Sequence, residues 1–193
     1  MANVLVQIPS TLRITDEEFL DFIRTNPDLR LERTATGELI VMAPTGSESG
    51  NRNAKLIIKF GIWNDRTQLG LVFDSSTGFR LPNGATRAPD VSWVRQERWD
   101  DLTPEERKGF APLCPDFTLE LASPSDNIKT LQAKMEEYLE NGCRLGWLLD
   151  PQTKQAWIYR PGQSATEILQ DPPTLSGEDV LLGFVLDLSA IWN

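Results

Sequence analysis

Histidine is missing from all 193 residues. Its absence removes the commonest neutral-pH general base, every Ser-His-Asp or Cys-His scheme and every imidazole metal site. Acid–base chemistry is left to carboxylates, Lys, Tyr or a metal-activated water. Any metal site must be oxygen-rich, which suits Mg²⁺, Mn²⁺ or Ca²⁺ rather than zinc. Cysteine is scarce: Cys114 and Cys143 stand far apart, in no metal-ligand spacing, and read as free thiols of a cytosolic protein. No run of about 18 apolar residues offers a membrane span. Met1 to Ser10 lacks the basic-then-apolar pattern of a signal peptide, so the expected location is the cytoplasm. Repeats, low-complexity tracts and long linkers are also missing, and the length suits one domain over residues 1–193. Positive charge is in deficit: 19 Lys and Arg against 28 Asp and Glu give a net charge of −9. That argues against a protein that coats nucleic acid. It leaves room for an enzyme that needs only a local basic strip.

What is present is a patterned α/β sequence. Thr15-Asp16-Glu17-Glu18 is a capping box opening a helix to about Thr25, closed by Asn26-Pro27. Strand-like runs at Leu29–Arg33 and Glu38–Met42 flank a hairpin turn, Thr34 to Gly37. Beyond Pro44-Thr45-Gly46 a long helix is expected from Ser47 to Arg66. Strands are expected at Leu71–Phe73, Gly78–Leu81 and Asp90–Val94, and a helix start at Thr103-Pro104. Phe117–Ala122 is an apolar strand carrying one charge. A helix capped by Ser125 or Asp126 runs to about Asn141, with Gly142 ending it. Strands Leu145–Leu149 and Gln155–Tyr159 follow, then a tail of short strands and loops from Thr166 to Trp192. Helices and strands in this order give an α/β (α+β) arrangement around one mixed sheet.

Four features could carry chemistry. Glu120 lies inside the apolar strand Thr118-Leu119-Glu120-Leu121-Ala122, where a carboxylate is costly to bury unless paired, protonated or bound to metal. The alternative is a strand whose polar face meets solvent. Asp90 follows Pro89 at the start of a strand, a place where a carboxylate reaches solvent from a rigid frame; Pro-Asp is equally a common turn pair. Lys134 falls at the edge of the apolar stripe Ile128, Leu131, Met135 and Leu139, beside Tyr138. From there it can reach back toward Glu120, or snorkel to the surface. Glu48, Arg52, Lys55, Lys59 and Arg66 share an arc of about 60° on the long helix. That arc is either a phosphate-facing stripe with an acid at its site end or a solvated face. Asp74 and Asp116 are spare acids, Asp126 reads as a cap, and Lys129 as surface.

Several stretches together resemble one family. They are Arg87-Ala88-Pro89-Asp90-Val91, the run Cys114 to Asp126, Leu131-Gln132-Ala133-Lys134 to Tyr138, Gly142 to Trp147, and Ala43 to Gly50. Their order and spacing resemble the "Uma-two" restriction-endonuclease-like family of the PD-(D/E)XK nuclease superfamily, from about Ile14 to Trp192. The resemblance implies an αβββαβ core: a central mixed sheet flanked by helices, with an N-terminal helix-hairpin and C-terminal strands as additions. It implies Asp90 and Glu120 as ligands of Mg²⁺ or Mn²⁺, joined by the Leu121 carbonyl. The superfamily's lysine two residues after the glutamate is replaced here by Ala122, and Lys134 matches the helix-borne substitute. Glu48 would be the acid of the first core helix, and Arg52, Lys55 and Lys59 the contacts to DNA phosphates. The implied activity is metal-dependent hydrolysis of DNA phosphodiesters. A homodimer is admitted by analogy with nucleases that cut both strands. Two rivals stand beside it: a catalytically inactive nuclease fold that binds nucleic acid or protein, and a carboxylate-only glycosidase using tryptophan platforms. Trp63, Trp93 and Trp147 fit core positions better than sugar platforms.

Overall fold

Local signals fix the first helix. In the computed structural model, which describes residues 12–163 and 166–193, Thr15 caps α1 (Asp16–Thr25) and Glu18 returns the bond to the Thr15 N–H. This is the reciprocal arrangement expected of a capping box. Phe19 turns inward from α1 toward Leu31 and Leu39. Those two residues belong to β1 (Arg30–Arg33) and β2 (Leu39–Met42), a hairpin in antiparallel register, Leu31 opposite Val41. The stretch read for a leader, Met1 to Ser10, lies outside the described residues.

The long helix α2 (Ser47–Thr67) follows, then β3 (Gly70–Asp74), β4 (Phe79–Arg80), β5 (Thr86–Arg87) and β6 (Val91–Arg95). Two short helices, α3 (Gln96–Asp100) and α4 (Pro104–Lys108), lead to β7 (Phe117–Leu121). Helix α5 (Ile128–Glu140) connects β7 to β8 (Leu145–Asp150). Strands β9 (Gln155–Tyr159), β10 (Glu167–Gln170), β11 (Thr174–Ser176), β12 (Val185–Asp187) and the terminal helix α6 (Ser189–Trp192) complete the chain.

The central sheet has six strands in the order β10-β9-β8-β7-β6-β3. Its pairs are antiparallel except β7 with β8, which are parallel. A parallel pair needs a crossover, and α5 is that crossover. Alternation along the strands sorts the core into two layers. Phe117, Leu119 and Leu121 join Trp147 and Leu149 beneath Leu56, Phe60 and Trp63 of α2. Leu148 and Trp157 instead meet Met135 and Tyr138 of α5. The order α2-β3-β6-β7-α5-β8 is the expected αβββαβ core, with a mixed sheet between helices.

Beyond shifts of a residue or so at element ends, the structure differs from the sequence reading as follows. Gly78–Leu81 was expected among the core strands. It forms β4 in a separate four-stranded sheet, β2-β1-β5-β4, because the two-residue β5 pairs with both β1 and β4. Helix α5 is capped by Asn127, which accepts from Lys129 N–H. Asp126 accepts from Ser123 N–H at 2.8 Å instead, just ahead of the cap. Strand β6 begins at Val91, leaving Asp90 just ahead of it.

Candidate active site

Glu120 is the one charge in β7, and the strand's pleat decides where it goes. Its apolar neighbours Leu119 and Leu121 face α2, so Glu120 faces α5. It is 4 % exposed. Lys134 of α5 lies with its Nζ 2.9 Å from Glu120 Oε1, and Tyr138, one turn on, donates its hydroxyl to the same oxygen at 3.0 Å. Among the described residues nothing donates to Glu120 Oε2.

Asp90 arrives from β6, the neighbour of β7. Its Oδ2 accepts the Leu121 N–H at 2.8 Å, which ties the aspartate to the strand that carries the glutamate. Its Oδ1 accepts Nδ2 of Asn53 at 3.1 Å. The other end of that amide, Asn53 Oδ1, is buried without a hydrogen-bond partner. A buried orphan acceptor is uncommon.

Lys134 serves more than Glu120. Its Nζ donates to Glu32 Oε1 at 2.8 Å and to the Ala88 carbonyl at 3.3 Å. Glu32 is itself buried, 3 % exposed. It accepts from Arg87 Nη1 at 3.1 Å and from Ala88 N–H at 2.9 Å, while Arg87 Nε donates to Glu137 at 2.6 Å. Four carboxylates, Glu32, Asp90, Glu120 and Glu137, thus share two cations, Arg87 and Lys134.

That imbalance shows in the proton affinities. Burial pushes the Glu120 carboxyl up to about 7; Lys134 pulls it down, while Asp90 and Glu32 push it up further. Asp90 is raised by burial, against the Leu121 amide and Lys134. Burial lowers the Lys134 ammonium, but Glu120 and Glu32 outweigh it and hold it above its ordinary value. Glu32 is also buried, yet Lys134 and Arg87 bring its carboxyl below the usual range. Tyr138 is raised by burial and by the two glutamates. One site therefore holds a lysine fixed as a cation and a glutamate that takes a proton near neutrality. Its excess of negative charge calls for a further cation.

The donor set fits a hard divalent ion in part. Among the described residues no three Asp, Glu or Cys side chains converge as a ready-made cage. Two carboxylates from adjacent strands do converge, with a free carboxylate oxygen on Glu120 and the orphan Asn53 Oδ1 beside Asp90. Oxygen donors of this kind suit Mg²⁺ or Mn²⁺.

The helix face expected to meet phosphate lies elsewhere. Glu48 is exposed and faces Arg52 at 3.5 Å. Arg52 Nε donates to the Ile191 carbonyl and Lys55 Nζ to the Ala190 carbonyl, so both cations are bonded to α6. Lys59 sits near Asp187, whose carboxyl is lowered chiefly by its hydrogen bonds from Ser189 and to a lesser degree by Lys59. None of the four contacts Asp90 or Glu120. The α2 residue that does is Asn53, on the stripe with Ser49, Leu56, Phe60 and Trp63, all four of them buried. A polar residue on an otherwise buried stripe was the available signal, and helical spacing alone did not single it out. Glu32 gave no signal, since a four-residue strand Arg-Leu-Glu-Arg reads the same whether its glutamate is solvated or buried. Trp63, Trp93 and Trp147 are all core residues, which removes them as sugar platforms. Asp116 is buried and accepts the Arg95 N–H, and Asp74 bonds Ser76 in an exposed turn. No helix among the described residues is long and apolar enough to cross a membrane.

Comparison with known proteins agrees with this architecture. A family model described as "Uma2: Putative restriction endonuclease" matches residues 16–189. Among solved structures, one described as a putative nuclease belonging to DUF820, from Anabaena variabilis, is similar with a TM-score of 0.76. It shares 21 % sequence identity, and the match covers 93 % of this chain and 97 % of that one. At that identity the likeness establishes the fold. Among curated proteins none matches.

Proposed function

The chain belongs to the Uma2 putative restriction endonuclease family, and from that premise we propose that it is an endonuclease hydrolysing DNA phosphodiester bonds with the help of Mg²⁺ or Mn²⁺. The observation that carries the reading is the convergence of Asp90, just ahead of β6, and Glu120 of β7, in a cluster with more carboxylates than cations. Asp90 and Glu120 would hold the ion, with the Leu121 carbonyl and Asn53 Oδ1 as further oxygens. When bound, the ion supplies Lewis acidity: it offsets charge on the phosphate and eases loss of a proton from the attacking water.

The protein's own groups have separable tasks. The Leu121 N–H and the Asn53 amide fix the Asp90 carboxylate. Lys134 and Tyr138 both hold Glu120 Oε1, which leaves Oε2 for the ion. Lys134 stays protonated and acts as a fixed positive charge that steadies developing negative charge. Orienting the attacking water as well would require it to release one of its three acceptors. The longest of these contacts, to the Ala88 carbonyl at 3.3 Å, is the one to give. Glu48 is exposed and has no part in this reading. Arg52 and Lys55 would have to leave α6 to meet phosphate.

The test is nicking of supercoiled plasmid in Mn²⁺ by wild type and by Glu120→Gln. Cleavage by the wild type, cut at least about 100-fold in the variant, supports the assignment. Equal cleavage by both sinks it. A second reading is a nuclease fold that binds without cutting, possessing the same pocket as a structural ion network. It is favoured by one observation: Lys134 Nζ is already engaged by Glu32, the Ala88 carbonyl and Glu120. On that reading neither protein cleaves.

A further inference from the structure

Glu32 lies outside the αβββαβ core, on the hairpin strand β1, 102 residues before Lys134. It nevertheless makes a contact with Lys134 as short as that of Glu120, 2.8 Å against 2.9 Å. Building on the nuclease reading above, we propose that Glu32 is a positioning residue of the active site, holding Lys134 against Glu120 and fixing the backbone that leads into Asp90.

A lysine projecting from a helix must give up much rotamer freedom to hold one position. Placed on the strand two residues after the glutamate, a lysine would be aimed by the backbone itself. From α5 it needs an anchor, and Ala122 leaves the strand position without one. Glu32 supplies that anchor because it is itself clamped. The Ala88 N–H and Arg87 bind its two oxygens, and Glu137 holds Arg87 from behind. Lys134 and Glu137 lie one turn apart on α5, so the helix grips Glu32 twice, once directly and once through Arg87. The same carboxylate therefore binds the ammonium and residues 87–88, just ahead of Asp90. Lys134 closes the loop by donating to the Ala88 carbonyl. Moving Glu32 shifts the lysine and the approach to Asp90 together. A purely structural ion pair would contribute to stability and nothing else.

Two measurements on Glu32→Gln separate these roles. The first uses metal-free protein and the ¹H–¹⁵N correlation of the Lys134 ammonium, identified by its loss in Lys134→Gln. We expect a slow-exchanging signal in wild type and its loss in Glu32→Gln, with the backbone amide spectrum retained. The second is plasmid cleavage at saturating Mn²⁺. We expect kcat to fall about 10-fold or more, with KM within about 2-fold and partial recovery in Glu32→Asp. If Glu32→Gln does not fold, Glu32→Asp, which keeps the charge and shortens the reach, is compared with wild type by the same two readouts. An unchanged Lys134 signal, or reduced stability with unchanged kcat, overturns the proposal. If wild type does not cleave DNA, the nuclease reading fails and the ammonium signal alone decides the role of Glu32.

Discussion

Lys134 carries three N–H groups and meets three acceptors, Glu32, Glu120 and the Ala88 carbonyl. Removing it strands two buried carboxylates. Loss of one partner from a buried ion pair typically costs 3–5 kcal/mol, so Lys134→Met should lose about that much in urea unfolding at pH 8. A loss below about 1 kcal/mol would mean the network is not stabilising. Glu32 gives a pH signature. Burial works against its charged form, but Lys134 and Arg87 bring its folded carboxyl below the ordinary 4.5. A group with a lower pKa folded than unfolded stabilises above the unfolded value, and that stability fades as pH falls through the folded one. The stability gap between wild type and Glu32→Gln should be full at pH 7 and begin closing below about 4.5. A gap that stays constant down to pH 3 would contradict the shift. At this scale the proline ahead of Asp90 and the apolar neighbours of Glu120 drew attention to each, but only the family resemblance paired them. Glu32 and Asn53 were not. Their roles depend on contacts across 102 and 37 residues, which no local pattern encodes.

Helix α2 carries the buried stripe that seats Asn53 beside Asp90, and a glycine interrupts it. A Cβ at Gly61 would meet nothing within 4 Å. Glycine inside a helix is destabilising by about 0.5–1 kcal/mol relative to alanine, so Gly61→Ala should raise stability by that amount. Gly70 at the start of β3 is the opposite case. A Cβ there would lie 2.2 Å from the Val94 carbonyl oxygen and 2.6 Å from the Trp93 ring. Backbone and a buried indole cannot yield cheaply, so Gly70→Ala should cost about 1–3 kcal/mol or more. Thermal unfolding of the two variants, moving in opposite directions, checks both. Elements with strong local chemistry were legible: the Thr15 capping box forms as its spacing implies, and α4 starts at Thr103-Pro104 as expected, with a capping box of its own. Strand β4 was misplaced because two residues carry no periodicity, and the partner that claims them, β5, is equally short. The cap of α5 was misread because Ser125, Asp126 and Asn127 are all good caps. Ser123 N–H takes Asp126, and Asn127 is left to cap the helix.

Across the whole molecule, the net charge of −9 is made more telling by how the cations are spent. Arg52 and Lys55 bond to α6, Arg33 and Arg80 to Asp16, and Arg160 to Glu167 and Glu178. With cations in deficit over the whole sequence, DNA affinity without divalent metal should be weak, with Kd in the range of about 10⁻⁴–10⁻⁶ M at physiological salt. Fluorescence anisotropy measures it, and nanomolar binding in EDTA would reveal a basic surface the account lacks. The αβββαβ order was legible from the family resemblance. Helical arithmetic placed Glu48, Arg52, Lys55 and Lys59 on one face, but could not say that α6 packs against it. The central claim is that Asp90 and Glu120 form one cation site. Its most direct test is calorimetric titration of Mn²⁺ into wild type and into Asp90→Asn with Glu120→Gln. Wild type should bind Mn²⁺ and the double variant should not; equal binding by both proteins would place the ion elsewhere.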